Sequence, residues 1–324
     1  MKPTFNLTRR MLIASALLAG TVHAQTIFPN RPIQVVAPVS VGGVADIAGR
    51  IYAEKLAKVL NQSTVVQNKP GAGTVIGTQS VATAAADGYT LLVTNSAFSI
   101  TPFIQSGLPY DTVRDFTGIA MIAEAPAVVA VASVSGIKTL KDLIALAKAK
   151  PGTIIYSSGG VGSATHLAGA HFAAKAGINI VHVPYKNYSD ANIDFIAGRV
   201  PLIFAPAGFL LPFIREGKVT ALGVSTADDM SEPFAAPSVR KSTGIDYEFA
   251  TWYGFLAPSK TPAPVLEVLG KAMTQISEDP EVRTKLRSQG IIPRNVVLRD
   301  FDAYMKADVD KVRPLVNASD VKTN

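Results

Sequence analysis

Two glycine-rich segments carry the clearest chemistry in this 324-residue sequence. Loop 1 covers residues 40–46 and loop 2 covers residues 157–166, and each is predicted to join the end of a strand to the start of a helix. A helix start leaves backbone N–H groups without partners and carries about half a positive charge, so it suits an anion. Glycine lets a ligand approach the main chain because it has no Cβ. Both loops therefore favour a small carboxylate.

Each loop also has a purely structural interpretation, as a tight turn between a strand and a helix. Asp46 shows the difficulty, because a carboxylate in the first helical turn would repel a ligand carboxylate while favouring an amine, a hydroxyl or an ordered water. Asp46 and Arg50 are also spaced i,i+4, which is the spacing of a surface ion pair worth about 0.3–0.5 kcal/mol. The sequence leaves both interpretations of Asp46 open.

Signals for an enzyme, a metal site or a cofactor are weak. The chain has no cysteine, which excludes disulfides, thiolate nucleophiles and cysteine-ligated metals. His166 and His171 are five residues apart, so they do not form the i,i+4 pair of a metalloprotease helix. The glycines of residues 71–77 are spaced Gly-x-Gly-x3-Gly, whereas a dinucleotide-binding loop has Gly-x-Gly-x2-Gly. The acidic residue expected after the next strand is also missing, because Asn95-Ser96 stand there. We predict no catalytic residue, no metal ligand and no cofactor.

The first 24 residues have the composition of a secretory signal peptide. Lys2, Arg9 and Arg10 precede the apolar run Met11–Gly20, and Val22-His23-Ala24 offers small residues for cleavage after Ala24. The apolar run is about half of the ~20 residues that span a bilayer. The arginine pair partly matches a twin-arginine signal, so the export route stays open between that system and the general one. We expect residues 25–324 to form the exported protein.

Composition and periodicity predict a globular α/β protein of two lobes. Hydrophobic residues make up 48% and charged residues 17%, and the net charge of +7 is too small and dispersed for nucleic-acid binding. Short β-branched runs alternate with helical patterns, which favours doubly wound parallel sheets. Apolar runs at 118–133 and 250–257 are long enough to pass between lobes. We assign residues 25–124 and 250–324 to lobe 1 and residues 125–249 to lobe 2.

Short motifs occur in order along nearly the whole exported chain. They are Gly42-Gly43 with Asp46 and Arg50, Asn68-Lys69-Pro70-Gly71-Ala72-Gly73, Asp87-Gly88-Tyr89-Thr90, Tyr156-Ser157-Ser158-Gly159-Gly160-Val161-Gly162-Ser163 with His166, His182-Val183-Pro184-Tyr185-Lys186, and Trp252-Tyr253-Gly254. Each motif is modest, but their number and order are specific. Together they resemble the extracytoplasmic solute receptors of the tripartite tricarboxylate transporter family, also called Bug receptors.

The resemblance implies a type II periplasmic-binding fold that closes around a ligand held by main-chain groups of both loops. It implies a periplasmic monomer that captures a small organic carboxylate and presents it to the membrane subunits of a tripartite tricarboxylate transporter. Asn187 departs from the usual glycine after Pro-Tyr-Lys, so we expect the pocket wall there to differ from that of these receptors. The candidate ligand-binding residues are Val41, Gly42, Gly43, Asp46, Ser96, Ser158, Gly159, Gly160, Gly162, Ser163, His166 and Tyr188.

The identity of the carboxylate stays open among dicarboxylates, tricarboxylates, acidic amino acids and aromatic acids. An aromatic acid would use a pocket lined by Phe98, Tyr188, Phe209 and Trp252. Two other classes of function also remain. The protein could be a ligand-binding partner of a signalling system, or an enzyme that acts on a carboxylate in the same cleft with Asp46 or His166 as its acid or base.

Overall fold

The computed structural model describes residues 28–185 and 188–318, so the predicted signal peptide lies outside the described residues. The strands are β1 (Ile33–Ala37), β2 (Thr64–Asn68), β3 (Thr90–Asn95), β4 (Phe116–Ala132), β5 (Ile155–Ser158), β6 (Val181–Pro184), β7 (Leu202–Pro206), β8 (Val219–Val224), β9 (Ala250–Pro258) and β10 (Ile292–Val297). The helices are α1 (Val44–Val59), α2 (Val75–Ala82), α3 (Ala97–Ile104), α4 (Leu140–Ala149), α5 (Ala164–Ala176), α6 (Tyr188–Ile196), α7 (Ala207–Arg215), α8 (Val239–Thr243), α9 (Ala263–Glu278), α10 (Pro280–Ser288) and α11 (Arg299–Ala318).

The predicted alternation of strands and helices is confirmed. β1 is a β-branched run that is buried along most of its length, as expected for a parallel strand covered by helices on both faces. α1 buries the apolar positions that recur at helical spacing, including Ala48, Tyr52 and Leu56. Three elements were not predicted, namely α3, α8 and β10.

The strands form one mixed sheet of two parallel parts, with order β2-β1-β3-β9-β4-β7-β5-β6. β1 pairs in parallel with β2 and β3, while β5 pairs in parallel with β6 and β7. β4 and β9 join the two parts: residues 116–126 of β4 pair with β9, and residues 127–131 pair with β7. We call the part with β1, β2 and β3 the first half and the part with β5, β6 and β7 the second half. β4 passes from the first half to the second, as the sequence predicted, and β9 runs antiparallel to it.

Strand directions determine where the ends of the parallel strands point. β3 is antiparallel to β9, which is antiparallel to β4, so β1 and β3 run along β4 toward the second half. β7 is antiparallel to β4, so β7 and β5 run toward the first half. β3 ends level with Ala123 of β4 and β7 ends level with Ala127. The two sets of carboxyl ends thus point toward each other across about 13 Å of β4.

A helical layer also links the two halves. Ile100 of α3, Leu167 of α5, and Val312 and Val316 of α11 form one buried apolar cluster beside the crossing strands. Within residues 28–185 and 188–318, no helix has both the length and the apolar character needed to cross a membrane. The carboxyl ends of the two parallel sets thus face each other along β4, and α11 packs against α3 and α5.

Candidate functional site

Loop 1 leaves the carboxyl end of β1 and enters α1 through a glycine with left-handed backbone geometry. Gly42 has φ of +83°, and Gly43 occupies the cap position of α1 with extended backbone. The Gly43 N–H donates to the Ser40 carbonyl over 3.2 Å, which closes the turn. As in every helix, the first backbone N–H groups of α1 have no intrahelical acceptor, so they remain available at this end.

Asp46 is buried and bonded to its own loop. Its carboxylate accepts hydrogen bonds from the Gly42 N–H, the Arg50 Nε and the Asn68 Nδ2, each 2.9 Å long. Burial raises the pKa of Asp46, but these donors outweigh that effect and hold the pKa below its ordinary value. The carboxyl is 2% exposed. Of the two sequence interpretations the Arg50 pair is formed, and Asp46 fixes the loop while it occupies the Gly42 amide.

Loop 2 leaves the carboxyl end of β5 and is held by its own hydroxyl groups. Ser158 Oγ accepts from the Gly160 N–H over 3.1 Å, and Thr165 Oγ1 accepts from the Gly159 N–H over 3.2 Å. Ser163 caps α5, because its Oγ accepts from the His166 N–H over 3.2 Å. These three hydrogen bonds fix the shape of loop 2.

His166 lies beneath loop 2, stacked on a second histidine. Nδ1 of His166 accepts a hydrogen bond of 3.1 Å from the Gly162 N–H. Its ring lies 3.7 Å from the ring of His182, and Nε2 of His182 is 2.6 Å from Ser158 Oγ. Burial lowers the pKa of His166 to about 4, and burial together with the neighbouring His166 lowers the pKa of His182 to about 3. Both imidazoles are neutral at ordinary pH.

The two loops share one construction. A left-handed glycine, Gly42 or Gly162, donates its N–H to a buried side chain four residues later, Asp46 or His166. Asp46 and His166 are the two acid–base candidates, and each already has an acceptor atom occupied by its own loop.

The remaining predicted site residues lie in different surroundings. Ser96 is buried at the end of β3, and its Oγ accepts from the Trp252 N–H of β9 over 2.9 Å, so it ties β3 to a crossing strand. The side chain of Tyr188 lies outside the described residues. Gly160 sits in loop 2 with φ of +121°.

The predicted aromatic pocket is wrong for two of its members. Phe98 and Trp252 are buried in the core, where they pack against each other and near Phe116 and Phe301. Phe209 packs against a separate core cluster of the second half, which includes Val128, Ile203 and Leu210. Their burial follows from size, because large aromatic side chains contribute most to a core.

A small cleft lies where β4, β7, β9 and the start of α5 meet. It is lined by Ala125, Ala127, Ala164, Thr165, Pro206 and Phe249, among others. A larger depression lies on the outer surface near Lys271 and Leu298, but no residue of either loop lines it. The small cleft is lined by Ala164 and Thr165 of loop 2 but by no residue of loop 1, so it marks only the part of the candidate site beside loop 2 and the crossing strands.

The prediction missed three residues that shape the loops: Asn68, Thr165 and His182. Asn68 and His182 were recognised only as parts of motifs, and Thr165 received no role. The spacing from a loop glycine to an acceptor four residues later occurs twice in the sequence and is a usable signal. The contact between His182 and Ser158 depends on the parallel register of β5 with β6, which no local pattern reveals.

Comparison with known proteins decides the family. Residues 48–321 match the family described as tripartite tricarboxylate transporter family receptor. The chain is 34% identical over 292 residues to a UPF0065 protein from Pseudomonas sp. (strain P51), covering 88% of this chain and 87% of that one. The chain belongs to the tripartite tricarboxylate transporter receptor family. It is thus a solute-binding receptor and not an enzyme.

Solved structures of the same receptor class share the fold. The periplasmic binding protein BugD superposes with a TM-score of 0.81 at 27% identity, covering 92% of this chain and 100% of that chain. An R. palustris protein solved with adipate superposes with a TM-score of 0.83 at 27% identity, covering 90% of this chain and 98% of that chain. The type II periplasmic-binding fold expected from the family is confirmed.

Proposed function

We propose that this receptor captures a small organic carboxylate in the periplasm and delivers it to the membrane subunits of a tripartite tricarboxylate transporter. In this proposal residues 1–24 are removed on export, the receptor acts as a monomer, and the ligand lies between the two loops. The lobes on either side are residues 25–124 with 250–324, and residues 125–249.

One observation carries the proposal: the carboxyl ends of the parallel strands in both halves point toward one cleft, and each half sends a glycine loop and a helix start from that edge. Open α/β sheets bind ligands outside the carboxyl ends of their strands. Two helix starts supply oriented N–H donors, which form charge-assisted hydrogen bonds with a carboxylate. The grip therefore requires no arginine.

Ligand binding and closure are linked in this arrangement. A ligand that contacts both halves binds the closed form better than the open form, so it shifts the population toward closure. Each half keeps its own apolar cluster, so closure would disturb mainly the small cluster of α3, α5 and α11 that joins the halves. Closure gives the transporter a surface that differs between the empty and the loaded receptor.

The adipate-bound relative supports a carboxylate ligand. Adipate carries a carboxylate at each end of a four-methylene chain, and its receptor shares this fold over most of both chains. From this relative we infer only that the ligand of the present receptor also carries a carboxylate group. Asp46 and His166 also use acceptor atoms to bind their own loops, which favours binding over turnover.

Calorimetric titration of the purified receptor with organic acids tests the proposal. In a parallel denaturation experiment, a carboxylate that binds should raise the free energy of unfolding by about 2.7 kcal/mol when it is present at one hundred times its Kd. The matched control is the corresponding amide, which keeps the shape and removes the charge. Equal binding of acid and amide, or no binding by any acid, would contradict the proposal.

Export and delivery need their own measurements. N-terminal sequencing of the protein recovered from the periplasm should begin at Gln25. Uptake of the bound acid by cells should require both the receptor and the transporter membrane subunits. Uptake that persists without the receptor would contradict the delivery role while leaving ligand binding intact.

A further inference from the structure

α3 and loop 2 belong to different halves of the molecule but lie in contact. α3 follows β3 of the first half, and loop 2 follows β5 of the second half. Ile104, the last residue of α3, packs on Gly162 of loop 2, because a Cβ placed on Gly162 would lie 2.8 Å from Cγ2 of Ile104. Since the carboxyl ends of β3 and β5 point toward each other along β4, this contact joins the two facing edges. The halves are therefore connected by side-chain packing as well as by the crossing strands.

Gly162 provides a flat seat for the isoleucine. Its φ of +72° is a conformation that glycine adopts readily, and its N–H donates to Nδ1 of His166, which fixes the backbone. With no side chain at this position, the aliphatic group of Ile104 rests directly on the main chain of the loop. This part of loop 2 is thus held by His166 from within its own half and by Ile104 from the other half.

An apolar interface between the halves lies next to this contact. Ile100 of α3 and Leu167 of α5 are each 1% exposed, and they pack together with Val312 and Val316 of α11. Ile104 is partly buried and borders this cluster. Separation of α3 from α5 would expose these side chains to water, which is unfavourable in proportion to the apolar area exposed. Ile104 therefore forms the margin of the interface that touches the ligand loop.

α11 is fastened to the first half. Phe301 and Met305 of α11 lie in a core cluster of that half, and Asp308 Oδ2 accepts the Trp252 Nε1–H over 2.7 Å. Val312 follows Asp308 by about one helical turn and reaches the interface. α3 and α11 therefore form one side of the interface, and α5 with loop 2 forms the other. Motion of the second half changes mainly this boundary, because each half has its own core.

We infer, building on the function proposed above, that Ile104 is a latch between the halves of the receptor. Its side chain, seated on Gly162, holds loop 2 of the second half against the first half, so the halves stay joined before a ligand binds. Loss of the latch lets the halves separate and reduces the fraction of receptor molecules in which both loops can share one ligand. The apparent Kd of a captured acid rises as that fraction falls.

Distances between spin labels in the ligand-free receptor test this inference. The chain has no cysteine, so Val65→Cys and Val181→Cys provide two specific labelling sites, at exposed positions of the outermost strands β2 and β6. Pulsed electron paramagnetic resonance should give one main distance, that of the joined form. Ile104→Ala should add a second distance and raise the ratio of separated to joined molecules by about five- to tenfold, because it removes three partly buried carbon atoms.

A stronger variant and a second measurement make the test decisive. Ile104→Asp places a charge at the apolar interface, so the second distance should become the main one. Small-angle X-ray scattering of the same variant should show a larger radius of gyration than that of the natural receptor. Unchanged distances in both Ile104→Ala and Ile104→Asp, or an unchanged radius of gyration in Ile104→Asp, would overturn the latch.

Two controls separate a latch from a general loss of stability. Ile276→Ala removes a side chain that is 1% exposed in the core of the first half, so it should lower stability without changing either measurement. Ile104→Leu keeps the volume of the side chain and should retain most of the joined form. A change in Ile276→Ala as large as that in Ile104→Ala would refute the inference. Because these measurements use no ligand, failure of every acid to bind would overturn the proposed function without altering this result.

Discussion

Gly162 donates its backbone N–H to Nδ1 of His166 over 3.1 Å, so His166 holds loop 2 only while that nitrogen is unprotonated. The same atom could not accept the bond in the imidazolium form, in which both ring nitrogens are donors. The shape of a predicted ligand loop therefore depends on the protonation state of a buried histidine.

This dependence predicts a loss of stability in acid. The unfolded chain takes up a proton on His166 near the ordinary pKa of 6.5, whereas the folded state resists protonation until about pH 4. The free energy of unfolding should thus be highest above pH 6.5 and fall by about 1.4 kcal/mol per pH unit per histidine between pH 6.5 and 4. Urea denaturation at a series of pH values measures the slope.

His166→Asn is the matched variant for this prediction. The asparagine Oδ1 can accept the Gly162 N–H but does not titrate, so the acid slope should be shallower by about one proton. His182 contributes in the same direction, because its pKa is also lowered, to about 3. An unchanged slope in His166→Asn would show that the pKa of His166 is the same in the folded and the unfolded chain, which contradicts the prediction.

Asp46 should matter far more than an exposed aspartate with a similar ion pair. In Asp46→Asn, the new side-chain NH₂ group faces one of the three donors that the carboxylate accepts from. We therefore expect the free energy of unfolding to fall by about 2 kcal/mol. Ligand binding should also weaken. Asp87→Asn is the control, because Asp87 pairs with Arg31 over 2.7 Å at the surface. Its loss should stay within about 1 kcal/mol. Equal losses in both variants would contradict the structural role of Asp46.

Gly162 should tolerate a side chain less well than another glycine of the same backbone geometry. Gly162 and Gly136 both have φ of +72°, but a Cβ on Gly136 meets no atom within 4 Å. Gly162→Ala should lower the free energy of unfolding by about 1–3 kcal/mol more than Gly136→Ala does, because its methyl group would lie 2.8 Å from Cγ2 of Ile104. Ile104→Ala in the Gly162→Ala background should restore part of the loss in thermal denaturation. Equal costs of the two glycine variants would contradict this packing.

The bond between Trp252 and Asp308 should depend on an acceptor and not on charge. Trp252 Nε1 donates to Asp308 Oδ2 over 2.7 Å, and burial raises the pKa of that carboxyl. Asp308→Asn keeps an acceptor oxygen, so its stability should stay close to that of the natural protein. Asp308→Ala leaves the indole N–H unpaired and should cost about 1–3 kcal/mol. Chemical denaturation compares the two, and an Asn variant as unstable as the Ala variant would refute the argument.

Periodicity predicted most of the fold because buried parallel strands are apolar along their whole length. β1 coincides with the predicted run, and α1 follows it as expected. β10 was missed because Pro293, Arg294 and Asn295 interrupt its apolar pattern, and its pairing with β4 contains a register shift. α3 was missed because it is short and contains Pro102.

The loops were predicted from residue types, but the roles within them depend on partners far away in sequence. Asp46 required Asn68 from the end of β2 before its burial could be understood. His166 required the stacked ring of His182 from a neighbouring strand. Local spacing indicated that Gly42 and Gly162 belong to the ligand loops. That their N–H groups donate to Asp46 and His166 followed only from the tertiary structure.

Because β4 is a single uninterrupted strand that completes both parts of the sheet, the halves of this receptor are not interchangeable modules. A chimera joined within residues 124–127 would have to preserve one hydrogen-bonding register on both sides of the junction. Loops 1 and 2 begin where the strands have already ended, so their restriction is local: loop 1 depends on Asn68 and loop 2 on His182. A loop that is replaced together with its partner side chain would therefore leave the shared strand β4 unchanged.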